Sequence, residues 1–167
     1  CAEDYDEYMA LASLDTLRFV VSNTTEAGIV LDDKDNFDGL PNTYPGKLTK
    51  FLYERYTVFS GKKDKGLIIL PVELIEDNGK KLRECVLTLA DIWNLPPEFK
   101  DWVKENNIFC STLVDRIVTG YPKGEAENIC KELGYDDRLI DVGEPFALWI
   151  IESERNISTE LPLDKIG

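Results

Sequence analysis

Apolar positions recur along the chain in two different periods. Four short runs are almost continuously apolar and rich in β-branched or aromatic residues: 17–22 (LRFVVS), 66–72 (GLIILPV), 112–118 (TLVDRIV) and 146–151 (FALWII). Runs of that length without alternation predict strands covered on both faces, as in a parallel sheet between helices. Between them the spacing becomes helical. Residues 45–59 put Leu48, Phe51, Leu52, Tyr56 and Phe59 on one side, with Pro45 suited to a first turn. Residues 79–93 gather Leu82, Cys85, Val86, Leu89, Ile92 and Trp93. Pro96 and Pro97 end that helix and open another, with Phe99, Trp102 and Val103 inward. A shorter helix over 122–133 carries Ile129 and Leu133 and stops at Gly134. An acidic helix is expected over 3–12, and a polar loop over 32–42 (DDKDNFDGLPN). Strands alternating with helices predict an α/β doubly wound sheet with flanking helices, and one domain is the simplest count.

Composition narrows the chemistry. The net charge of −13 opposes binding to nucleic-acid backbone or anionic lipid. No stretch approaches the ~18 continuous apolar residues of a membrane helix. The absence of histidine removes imidazole triads and imidazole metal ligands. Cys1, Cys85, Cys110 and Cys130 show no C-x-x-C spacing, which favours reduced thiols in a cytoplasmic protein. The chain opens on Cys1 within a helix-like segment and stops at Gly167 after an ordered-looking one, and both ends read as cuts within a longer protein.

Ligands of a doubly wound sheet sit beyond the carboxyl ends of its strands. After the first strand comes Ser22-Asn23-Thr24-Thr25-Glu26-Ala27-Gly28, which could bind a ribose or sugar, or equally cap a helix or turn. After the second comes Glu73 in an apolar surround, where a carboxylate must be paired, protonated or in contact with a polar ligand. The following Asn78-Gly79 reads as a turn. Asp115 and Arg116 interrupt the third run. Its apolar neighbours imply a partly buried Asp115, either in a structural ion pair or at a working site. No G-x-G occurs anywhere, so a dinucleotide fingerprint is missing from this chain.

Read in order, RFVVSNTTEAGI, YPGKLTKFLYERY, KGLIILPVELIEDNG, FCSTLVDRIVTGYP, ELGYDD and EPFALWIIE resemble the polyol and uronate dehydrogenases of the mannitol dehydrogenase family. They most resemble the branch that interconverts tagaturonate and altronate in hexuronate breakdown. The resemblance spans nearly the whole chain. It implies that residues 1–167 are the later part of an NAD-binding Rossmann-type domain. A helical domain carrying the catalytic lysine would be a further part of the protein, and no metal would be needed. It places Ser22, Asn23, Thr24 and Glu26 beside the nicotinamide end of NAD, and Asp115 at the mouth of the active site in a supporting catalytic role. It places Glu73 on the substrate side, beside Leu74, which cannot supply the hydrogen bond of the asparagine found there in mannitol dehydrogenases. Lys123 and Asn128 keep the spacing of the family's catalytic lysine and asparagine, but Lys131 stands where histidine belongs, so that match reads as coincidence. Sister enzymes acting on fructuronate or mannitol, and a non-catalytic α/β binding domain, are the competing readings.

Overall fold

The computed structural model describes residues 4–165. Its elements in chain order are α1 (Tyr5–Ala10), β1 (Phe19–Ser22), α2 (Tyr44–Val58), β2 (Ile68–Pro71), α3 (Asn78–Ile92), α4 (Pro97–Asn106) and β3 (Ile108–Phe109). They continue with β4 (Ser111–Asp115), β5 (Val118–Gly120), α5 (Ala126–Leu133), β6 (Val142–Gly143) and β7 (Leu148–Glu152). Cys1 and Glu3 lie outside the described residues. No described helix is long and apolar enough to cross a membrane.

The chain divides into two compact units: Leu113–Ile150, and the residues on either side of it. The larger unit is built on a three-stranded parallel sheet in the order β1-β2-β3. β2 is buried along its whole length, as its unbroken apolar run predicts. Leu67 and Ile69 enter one hydrophobic cluster while Ile68 and Leu70 enter another, as alternation along a strand requires. The first cluster collects Leu48, Phe51 and Leu52 of α2, Leu82 and Val86 of α3, and Phe99, Trp102 and Val103 of α4.

Polar groups fix the ends of these helices. Thr43 caps α2, its hydroxyl accepting from Gly46 N at 3.1 Å. Asp35, buried within the loop read as simply polar, accepts from Asn42 N at 2.7 Å and from the Thr43 hydroxyl. Near the other end of α2, Arg55 is 1% exposed. Its guanidinium donates to the carbonyls of Ala12, Leu14 and Leu17 at 2.9 Å and of Lys65 at 2.7 Å. Burial pulls its pKa below the ordinary arginine value, while four carbonyl dipoles and the charge of Asp15 favour the guanidinium.

The smaller unit departs from expectation. The predicted strand 112–118 is two strands, β4 and β5, separated at Arg116 and Ile117. β4 pairs with β7, and β5 pairs antiparallel with β6, so neither belongs to the parallel sheet. Ala126, 5% exposed, is the one buried residue of Leu113–Ile150. Leu113, Ile117, Phe146, Trp149 and Ile150 are exposed, and Leu139 is 90% so. Asp115 is accordingly exposed, against the partly buried position its apolar neighbours imply. An apolar run states that a segment needs cover; it does not state that this chain supplies it.

Candidate functional site

β1 and β2 end side by side. Ser22 is in register with Pro71, and Val72 N donates to Ser22 O at 2.8 Å. Two residues past β2, the chain turns Glu73 inward, where it is 2% exposed. Its carboxylate faces back across the strand ends. Oε2 accepts from Ser22 Oγ at 3.0 Å, and Oε1 accepts from Thr24 N at 3.1 Å and Thr24 Oγ1 at 2.9 Å. Of the possibilities open to a carboxylate in this surround, the structure shows hydrogen bonding to the protein's own loop. Ser22, itself buried, and Thr24 are therefore brought together with Glu73. Asn23, Thr25 and Glu26 stand exposed in the same loop.

Gly28 closes that loop. A Cβ at Gly28 would overlap Thr24 Oγ1 and crowd Thr25 N, so glycine lets the chain fold back over the hydroxyl that reaches Glu73. Gly28 N donates to Thr25 O at 2.9 Å, completing the turn.

Asn78 organises the other side. Its Nδ2 donates to Pro71 O at 3.0 Å and to Glu73 O and Thr112 O at 2.9 Å. Its Oδ1 accepts from Thr112 N at 2.9 Å and Gly79 N at 2.8 Å. One side chain thus fixes the end of β2, the Glu73 turn, the start of α3 and the start of β4. The Asn-Gly pair that reads as a turn is here the first turn of α3, entered through Asp77 at φ 53°. Gly79 is required because a Cβ would overlap the carbonyl of Cys110.

Tyr44, in the first turn of α2, stands beside this group. Burial pushes its phenol up to about 12; contact with Ser22 opposes the rise and the Glu73 carboxylate adds to it. The hydroxyl is buried but stops short of hydrogen-bond geometry with any partner among the described residues. Asn78, Thr112 and Tyr44 are the residues that sequence reasoning missed here. Burial also pushes the Cys85 and Cys110 thiols up, which keeps both as neutral packing groups.

The exposed lip of the site is thus a polar loop with no lysine or arginine across residues 22–28, held from below by a buried carboxylate. Hydroxyls and amides of this kind suit a neutral ribose, carboxamide or sugar hydroxyl better than a pyrophosphate, which needs cations or clustered backbone N–H groups.

The mannitol dehydrogenase Rossmann domain family matches residues 3–165. The chain belongs to that family. It is 52% identical over 165 residues to an altronate oxidoreductase of Bacillus subtilis, covering 98% of this chain and 34% of that protein. It is 52% identical over 163 residues to the altronate oxidoreductase of Yersinia enterocolitica, again spanning 34% of the relative's length. Among solved structures, a Pseudomonas fluorescens mannitol 2-dehydrogenase in ternary complex with NAD and D-mannitol matches with a TM-score of 0.71 at 24% identity. That match covers 90% of this chain and 32% of the other. At that identity the likeness establishes the Rossmann-type α/β fold. Asp115 lies at the end of β4, in the smaller unit, and Arg116 Nε donates to Glu144 O at 3.2 Å rather than pairing with it. Lys131, on α5, pairs with Glu127 one turn away.

Proposed function

We propose that this chain is the later part of the NAD-binding domain of an oxidoreductase that interconverts tagaturonate and altronate in the cytoplasm. The observation that carries the reading is 52% identity to altronate oxidoreductases along almost the entire chain. NAD would supply the hydride acceptor or donor; the protein's task is to hold and orient it against the sugar acid. Ser22, Asn23, Thr24 and Glu26 form the cofactor-facing loop, whose neutral donor set fits the ribose and carboxamide end. Glu73 and Asp115 belong to the substrate side, with Asp115 supporting a lysine contributed by a helical domain outside this chain. The bare apolar surface of Leu113–Ile150 supports such a partner domain: a unit with one buried residue lacks a core of its own.

The test is a substrate panel. Full-length protein should oxidise NADH with tagaturonate, and far more slowly with fructuronate or fructose. Preference for fructuronate or fructose would move the assignment to a sister enzyme. The 167-residue chain alone should show no steady NADH oxidation, since neither phosphate-cradling turn nor catalytic lysine lies within it. Turnover by the purified chain would refute that division of labour.

A further inference from the structure

We propose that Glu73 is a positioning residue for the cofactor-facing loop and that its carboxylate does not touch the sugar acid. This refines the substrate-side placement above and rests on the NAD-binding reading of residues 22–26.

Three observations converge on it. Glu73 is 2% exposed, so a ligand has almost no access to it. Both carboxylate oxygens are engaged, and every partner lies in the loop: Ser22 Oγ at 3.0 Å, Thr24 N at 3.1 Å and Thr24 Oγ1 at 2.9 Å. Three of the carboxylate's roughly four acceptor sites are taken by the loop, and at 2% exposure a sugar hydroxyl could reach the remaining one only by opening the loop that covers it. The loop is also shaped around this contact from its far end, since the space a side chain on Gly28 would fill is occupied by Thr24 Oγ1. Glu73 and Gly28 thus grip the same threonine from two sides, and between them they fix the backbone that presents Asn23 and Glu26 to the cofactor. The base of this clamp is itself fixed, because Asn78 Nδ2 donates to Glu73 O at 2.9 Å. The rotamer entropy of an otherwise mobile polar loop is lost on folding and not on cofactor binding.

The two roles separate by substitution. Leucine at 73 removes both acceptors at similar volume. Glutamine keeps an acceptor for Thr24 N–H and offers an amide to Ser22, whose hydroxyl can rotate to accept. In the full-length enzyme, NADH dissociation constants by fluorescence titration and tagaturonate KM at saturating NADH give the split. Glu73→Leu should raise the NADH Kd about ten-fold and leave tagaturonate KM within about two-fold, while Glu73→Gln stays close to wild type in both. Gly28→Ala should reproduce the Glu73→Leu effect, and the double variant should be less than additive, because both break one contact. A raised tagaturonate KM in Glu73→Gln with unchanged NADH binding would overturn the inference and put the carboxylate on the sugar. Unchanged constants in Glu73→Leu would overturn it too. Should Glu73→Leu not fold, Gly28→Ala decides by the same two constants. Wild-type protein that binds no NADH would instead bring down the reading on which the inference rests.

Discussion

At the scale of single residues, an unpaired polar atom carries a definite expectation. The Tyr44 hydroxyl is buried without a hydrogen bond. Such a group has given up its water for no more than a poorly aligned contact with Ser22, so Tyr44→Phe should leave stability unchanged or raise it by up to about 1 kcal/mol in urea unfolding at pH 8. The pH dependence has a fixed sign. Tyr44 titrates near 12 in the folded chain against 10.0 ordinarily, so the folded state holds its proton longer than the unfolded one. The buried phenol therefore adds no pH-dependent cost below pH 10, and stability falls as pH rises from 10 toward 12, where the unfolded chain ionises first. Unfolding curves at pH 9 and pH 11 should show a smaller alkaline loss in Tyr44→Phe than in wild type. Asp115 carries a different expectation. Because it is exposed at the end of β4, Asp115→Asn should not disturb folding. If it supports the catalytic lysine, kcat of the full-length enzyme should fall about ten-fold with a shifted pH profile. Normal kcat with an unshifted profile would make it an ordinary surface carboxylate.

At the scale of elements, short side chains decide where helices begin. Asn78 satisfies groups at Pro71, Glu73, Gly79 and Thr112. Asn78→Ala leaves several of these buried and unpaired, and should cost about 3 kcal/mol, measured as a lower urea midpoint at constant slope. Asp35→Ala should cost about 2 kcal/mol by freeing the N–H groups ahead of α2. The sequence announces α2, α3 and α4 to within a residue or two, because apolar spacing and prolines act locally. It announces β1 and β2 because an uninterrupted apolar run favours a strand, but only β2 is covered on both faces; in β1, Val21 is exposed. β3, a pair at Ile108–Phe109, is too short to leave any periodicity. The segment 112–118 misleads because its apolar residues are bare in this chain. Of the site, Glu73 is legible as a carboxylate in the wrong company. Asn78 is not legible, because its partner Thr112 stands 34 residues away and nothing local encodes that contact.

At the scale of the whole molecule, stability is unevenly distributed. The unit around β1-β2-β3 buries two hydrophobic clusters, while Leu113–Ile150 buries Ala126 alone. Amide exchange should report the difference. In the 167-residue chain, amides of β5, α5 and β6 should exchange at least about a hundred-fold faster than those of β2 and α3. If a further domain packs on this unit in the full-length protein, the gap should narrow sharply as the exposed Leu139, Phe146 and Trp149 gain cover. Equal protection of both units in the isolated chain would show that the smaller unit holds itself together.

The parallel register of the sheet also governs the order in which the protein can be made. Phe19 pairs with Ile68, and Ile68 in turn with Ile108, so no strand of this sheet meets a partner through a tight turn. Some fifty residues separate the first pair, and at ~5–20 residues per second a ribosome needs roughly 3–10 s to deliver the second strand after the first. Throughout that interval the Phe-Val-Val of β1 lacks the β2 edge that it joins in the folded sheet. It is then a ready ligand for hydrophobic-binding chaperones, or for another nascent chain on the same messenger.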